Sequence, residues 1–180
     1  LSPDVVVVEA ASLVDAEGWE ALSLTTLAQR LKVKPPSLYN HLSGLDELKR
    51  SLFVLAAERL REALQSSAVG RSGEEAVHAL AHAYRRFLLE HPGLGEALLH
   101  SPAPDDPEAQ RVSSEVVEVC LAALRGYQLE RAEALHAVRA LRAQVHGFAM
   151  LELKKGFGLK LSTAQSFEWM LDIFLRGLKR

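Results

Sequence analysis

Residues 32–42 read KVKPPSLYNHL, and the reading of this stretch decides the fold. Proline inside a helix removes a hydrogen bond and clashes with the preceding turn, whereas in the first turn its missing N–H costs nothing. Pro35 and Pro36 therefore predict a helix start. Leu38 and Leu42 give it one apolar stripe, and Ser43-Gly44 ends it after about two turns, too short to hold by itself in water. Just upstream, SLTTLAQRL offers Ser23 as a cap and Leu24, Leu27, Ala28 and Leu31 as one apolar face. Only Lys32-Val33-Lys34 separates the two segments. Two short helices joined by about three residues are the pattern of a helix-turn-helix, whose second helix enters the DNA major groove.

Further towards the N-terminus, propensity and punctuation conflict. Four consecutive valines, Val5 to Val8, favour a strand, but Ser2-Pro3-Asp4 is a cap, a first-turn proline and an acid in the order a helix start requires. The punctuation predicts a helix with Val6, Ala10, Leu13 and Val14 inside and Gly18 as its stop. After Gly44, Ser43-x-x-Asp46 reads as a capping box for a longer helix carrying Leu48, Leu52, Leu55, Ala56 and Leu60. Further helices are expected after Ser72, around 94–99, and over 106–126, 130–154 and 162–178. No strand pattern emerges. The expected architecture is all-α, with a small three-helix domain over 1–50 and a second helical domain over 51–180.

Composition agrees with this and narrows function. Of 180 residues 48% are apolar and 6% aromatic, and the formal net charge is −2, so nucleic-acid binding has to come from a local patch. Residues 23–50 supply one: Arg30, Lys32, Lys34, Lys49 and Arg50 stand against only Asp46 and Glu47, while residues 1–22 carry five acids and no base. The single cysteine, Cys120, rules out an intramolecular disulfide and, without a signal-like segment, points to the cytoplasm. No apolar run approaches the roughly 18 residues of a membrane span. The chain opens on Leu1 rather than methionine, so a preceding stretch is expected. There is no glycine-rich phosphate loop, no nucleophile and base pairing and no HExxH, so catalysis is not expected.

The final helix is apolar nearly all round, through Trp169 and Ile173 as well as Phe167, Met170, Leu171, Phe174, Leu175 and Leu178. Such a helix is buried on two sides, and an isologous contact with a second copy supplies the second side. Ala137, Ala140, Ala143, Gly147 and Ala149 in the preceding helix leave room for close approach. Phe167, Met170, Leu171, Phe174, Leu175 and Leu178 are the expected dimer interface.

The segments Gly18-Trp19-Glu20-Ala21-Leu22-Ser23-Leu24, Leu27-Ala28, Val33, Ser37-Leu38-Tyr39-Asn40-His41-Leu42 and Glu47-Leu48 resemble the DNA-binding domain of TetR-family transcriptional regulators. Val145-His146-Gly147-Phe148-Ala149-Met150-Leu151-Glu152 is similar to the signature of the WHG-type C-terminal domain in that family. The resemblance implies about nine helices, a homodimer through the last two, and a repressor released from double-stranded DNA by a small effector, with no cofactor. A helical adaptor that binds protein is the alternative. Two departures stand out: Lys32 occupies a turn position where the family usually has glycine, and Leu45 replaces a lysine that touches the DNA backbone.

The expected DNA contacts divide by chemistry. Ser23, Thr25 and Thr26 offer hydroxyls and helix N-terminal N–H groups to phosphate, and Lys49 offers charge. Lys34, Ser37, Asn40 and His41 are candidates to hydrogen-bond base edges, and Pro35 and Pro36 can meet thymine methyls. Tyr39 in the family approaches a phosphate. In the second domain Tyr84, Phe87, Cys120, Tyr127, His146, Phe148 and Met150 are the candidate effector pocket, a mostly apolar set with a few polar groups. His78 and His82 lie four apart, as a bidentate metal pair would, but the surrounding sequence shows no third ligand, so no metal is expected.

Overall fold

A computed structural model describes residues 1–179, and among them no strand occurs. The helices are α1 (Pro3–Glu17), α2 (Leu24–Arg30), α3 (Leu45–Ala68), α4 (Gly73–Glu90), α5 (Pro92–Ala97), α6 (Pro107–Leu124), α7 (Arg131–Leu153) and α8 (Thr163–Leu178). With the six-residue 3-10 helix over Pro35–Asn40 they make nine among the described residues; Trp19–Ala21 and Arg125–Tyr127 are single 3-10 turns. Two compact units result, residues 1–59 with 90–113 and residues 60–89 with 114–180. Packing thus adds 90–113 to the unit that holds the N-terminal helices. Both α3 and α6 contribute residues to each unit.

In the first unit, punctuation overrides valine propensity. Ser2 accepts a hydrogen bond from the Val5 N–H, Pro3 occupies the first turn, and Gly18 closes α1 at φ 83° with its N–H on the Val14 carbonyl. Val6, Ala10, Leu13 and Val14 are buried as the spacing predicts. α1 packs against α5 through a joint that the sequence does not announce. The Asp15 carboxylate accepts N–H bonds from Gly93 (2.9 Å) and Leu94 (3.1 Å) and meets His91 Nδ1 at 2.8 Å. Trp19 Nε1 donates to the Gly93 carbonyl at 2.8 Å. Asp15 caps α5 from another helix, where the residue at the cap position, His91, provides no side-chain bond of its own.

The turn after α2 is a Schellman motif. The Val33 N–H reaches the Ala28 carbonyl at 3.0 Å and the Lys32 N–H reaches the Gln29 carbonyl at 3.1 Å. Its geometry demands a left-handed residue, and Lys32 takes it at φ 54°. A side chain there costs about 1 kcal/mol relative to glycine. Beyond it the segment led by the two prolines is 3-10 over Pro35–Asn40, a correction to the two-turn helix expected from the sequence. The reason is visible in its bonds: Ser37 N–H to Lys34 O (2.9 Å) and His41 N–H to Leu38 O (2.9 Å) close three-residue rings. Leu38 and Leu42 are buried and hold the segment down, each contributing about 1.5–3 kcal/mol. The cap of α3 also differs from expectation, because Glu47, not Asp46, accepts the Ser43 N–H, and the Ser43 hydroxyl together with that N–H keeps its carboxyl below the usual range.

In the second unit α4 buries Ala76, Val77, Leu80, Ala81, Tyr84, Phe87 and Leu88. α7 opens with a reciprocal capping box between Glu130 and Glu133 and packs against α8. Arg85 of α4 forms a bidentate pair with Glu152 of α7 at 2.8 and 2.6 Å, and its guanidinium lies 4.8 Å from the Phe167 ring centroid of α8.

Candidate nucleic-acid interface and effector pocket

The first unit presents a set of exposed groups on a fixed frame. Ser23 caps α2, accepting from the Thr26 N–H at 3.0 Å and sharing a bond with the Thr26 hydroxyl at 2.8 Å. Both hydroxyls are therefore positioned before any ligand arrives, and Thr25 beside them is exposed. Lys34 sits at the cap of the 3-10 helix with Pro35 and Pro36 exposed after it. Ser37 and His41 are half-buried and Asn40 is exposed; Tyr39 is 60% exposed while its neighbour Leu38 is fully buried. The short helix thus buries its leucines and turns its tyrosine, asparagine and prolines outward.

The charge available there is smaller than the sequence count. Arg30 is held by Glu9 at 2.6 Å and Glu17 at 2.9 Å, both from α1. Arg50 is held by Asp106 at 2.5 Å and Glu108 at 2.7 Å. The Arg50 guanidinium, with the Ala109 N–H, keeps the Asp106 carboxyl below its ordinary range. These two arginines serve the protein's own packing. Lys32, Lys34 and Lys49 are exposed, and none of them takes part in an ion pair among the described residues. The charge that the fold leaves uncommitted there is that of these three lysines.

The second unit brings together part of the expected pocket. Tyr84 Oη and His146 Nδ1 lie 2.9 Å apart, both buried. Burial pushes Tyr84 up to about 12, against the pull of the neighbouring Arg142 guanidinium, and pushes the Cys120 thiol up to about 11. His146 Nε2 is buried and has no partner. The other candidates have varied surroundings. Tyr127, whose hydroxyl is also buried without a partner, senses the Glu74 carboxylate and so belongs with the opposite end of α4 from Tyr84. Phe148 stacks with Phe157 (4.7 Å) and Phe167 (5.1 Å) in the cluster around Arg85. Two residues from His146 along a helix, it points to a different face. Phe87 is core of α4 and Met150, one turn beyond His146, is half-buried. Arg142 lies one turn before His146 on the same face of α7, where its charge acts on both His146 and Tyr84.

Burial, and then the Arg142 charge, hold His146 below its ordinary value of 6.5. The folded chain therefore refuses a proton that the unfolded chain accepts. The stability carried by the neutral ring is complete above about pH 6.5 and falls as pH drops below it, by at most about 1.4 kcal/mol per pH unit. Denaturant unfolding at about pH 7.5 and pH 5.5 should show this slope in the parent and a shallower one in His146→Asn, which keeps an acceptor for Tyr84. Equal slopes would place the acid sensitivity elsewhere.

Within the protomer α8 already covers much of the surface expected at the dimer interface. Phe167, Leu171, Phe174 and Leu175 are all buried within their own protomer, and Met170 and Leu178 are half-buried. The apolar side chains that α8 leaves in solvent are Trp169, 66% exposed, and Ile173, 47% exposed. Next to it α7 exposes Ala140, Ala143, Gly147 and Leu151, whereas Ala137 and Ala149 are buried.

Comparison with known proteins agrees with this geometry. The tetracyclin repressor-like C-terminal domain family matches residues 77–174. An uncharacterized HTH-type transcriptional regulator of Bacillus subtilis, YobS, is 36% identical over 180 residues, 99% of this chain and 93% of that protein. Another from Mycobacterium tuberculosis, Rv0681, is 33% identical over 154 residues, 85% of this chain and 71% of its own. The Streptomyces coelicolor TetR family protein ActR, solved in complex with (S)-DNPA, superposes with a TM-score of 0.72 at 25% identity, covering 99% of this chain and 96% of ActR. A helix-turn-helix of this geometry, matched along the whole chain and continuous with a helical C-terminal region of this kind, makes the chain a member of the TetR family of transcriptional regulators.

Proposed function

We propose that the protein is a homodimeric, cytoplasmic repressor that binds a two-fold symmetric DNA operator through Lys34–His41 and is released from it by a small molecule bound beside His146. The observation that carries the DNA half is the inverted exposure of the 3-10 helix, leucines in and Tyr39, Asn40 and the prolines out, flanked by three unpaired lysines. A soluble domain gains nothing by leaving such a set in water unless it meets a partner. The effector half rests on His146 Nε2. A buried ring nitrogen without a partner costs about 1–3 kcal/mol, and a ligand that hydrogen-bonds it recovers that cost. Arg142 beside it favours a ligand carrying a carboxylate, phenolate or other anionic oxygen. Such a ligand acts by favouring one arrangement of the DNA-binding unit over another, and α3 and α6, which run through both units, are the continuous elements along which that preference passes.

The test uses a labelled duplex selected from a random pool by the purified protein. In fluorescence anisotropy Lys34→Ala and Tyr39→Ala should each weaken binding about tenfold or more, and Lys34→Ala should reduce the salt slope by about one. Circular dichroism should be unchanged, since both residues are exposed. Parent affinity in both variants would remove the reading-head assignment, and no salt-dependent DNA binding by the parent would leave the adaptor reading in its place.

A further inference from the structure

His78 and His82 project from one face of α4, a turn apart, with ring centroids 6.5 Å from each other. The sequence shows no third ligand near them, because it arrives 86 residues later. Packing in the second unit lays Glu168 of α8 against the pair. Its carboxylate oxygens are 2.7 Å from His82 Nε2 and 3.5 Å from His78 Nδ1. One ligand atom from each of the three residues falls within 4.8 Å of the others. Asp172, one helical turn after Glu168, lies 4.0 Å from His78 Nε2, on the far side of that ring.

We propose that His78, His82 and Glu168 form a binding site for one zinc-class divalent cation, with Asp172 as the outer carboxylate that orients His78. A tetrahedral ion with bonds of about 2.0–2.2 Å separates its donors by roughly 3.3–3.6 Å, so the 3.5 Å between His78 and Glu168 is already at that spacing, and the Glu168 side chain, 2.7 Å from His82, shifts to open the other side. Two imidazoles and one carboxylate are a borderline donor set that suits zinc, cobalt or nickel and is poor for magnesium or calcium, which take oxygen ligands. The carboxylate, histidine and metal arrangement completed by Asp172 recurs in such sites and fixes the ring nitrogen that faces the ion. His82 packs edge-on against Phe167 at 5.2 Å, which limits its rotamers. All four side chains are partly exposed, so ions reach them and water or an external ligand fills the fourth position. Since the ligands come from α4 and α8, the ion ties two helices together.

Cobalt supplies the direct readout. Titration of untagged, chelator-treated protein with cobalt chloride should produce a tetrahedral ligand-field absorption saturating at one ion per chain. Zinc should abolish it and magnesium should leave it unchanged. Glu168→Gln, an exposed near-isosteric change, and His82→Ala should each weaken binding at least about 100-fold, more than loss of an outer partner does. His136→Ala, on the exposed face of α7, should bind like the parent. Zinc should raise the thermal midpoint of the parent and not of Glu168→Gln. Absence of the band at millimolar cobalt, or a band of unchanged affinity in both ligand variants, would overturn the proposal and leave a helix-to-helix ion pair in its place.

Discussion

Replacing Ile173 by glutamate is expected to turn the protein into a monomer in sedimentation and to weaken operator binding about 100-fold or more. Ile173 and Trp169 are the large apolar side chains that α8 keeps in solvent, and Ala140, Ala143 and Gly147 of α7 lie exposed on the helix packed beside it. Small residues on one helix and large ones on the next let two copies approach around a two-fold axis. An unpaired carboxylate in that contact costs several kcal/mol, and each 1.4 kcal/mol is tenfold in an association constant. Operator affinity follows because a single helix-turn-helix contacts one half-site. Leu171→Ala is the informative control. Leu171 is fully buried in its own protomer, so this variant should lose about 2–5 kcal/mol of folding stability while its surviving folded fraction stays dimeric. A dimer unaffected by Ile173→Glu would move the interface off this face.

Gly93→Ala should be as damaging to the fold as Ile173→Glu is to assembly. A methyl group at position 93 would lie 2.4 Å from the Val14 carbonyl carbon, 2.5 Å from its oxygen and 2.7 Å from the Asp15 nitrogen. These are backbone atoms of α1, which cannot rotate aside as a side chain could. To admit the methyl group, α5 must withdraw, and with it go the bonds from Trp19 to the Gly93 carbonyl and from the Gly93 and Leu94 N–H groups to Asp15. Overpacking costs about 1–3 kcal/mol, and the three hydrogen bonds add about 1 kcal/mol apiece. A loss of about 3 kcal/mol or more lowers the thermal midpoint of a chain this size by roughly 6–12 °C. Gly44→Ala, where an added methyl group meets nothing within 4 Å, should stay within about 1 kcal/mol of the parent. Similar midpoints for the two variants would mean that α1 and α5 are not held in this contact in solution.

What the sequence by itself determined is what is settled within about four residues. The N-cap of α1 at Ser2 wins over four valines because a cap bond and a first-turn proline act at the helix end, where nucleation is decided. The same range covers the cap of α2 at Ser23, the stop at Gly18, the tight turn through Lys32 and the outward-facing Tyr39 beside inward-facing Leu38. From these the helix-turn-helix and its family could be read, and with them most of the candidate DNA contacts. Tertiary structure decided whatever depends on partners far along the chain. Arg30 and Arg50 read as DNA-facing charge until acids from α1 and from residues 106–108 neutralise them. Phe167 and Leu171 are covered by their own chain, and a helix apolar on every side does not reveal which side that will be. The contact of Tyr84 with His146 and the place of Phe148 beside Phe157 and Phe167 depend on it too, and His78 and His82 read as an incomplete pair until Glu168 meets them. A helix repeats its faces every 3.6 residues, so sequence spacing shows which side chains share a face. Which helix that face meets is fixed by the packing of all the helices at once, and no local spacing encodes it.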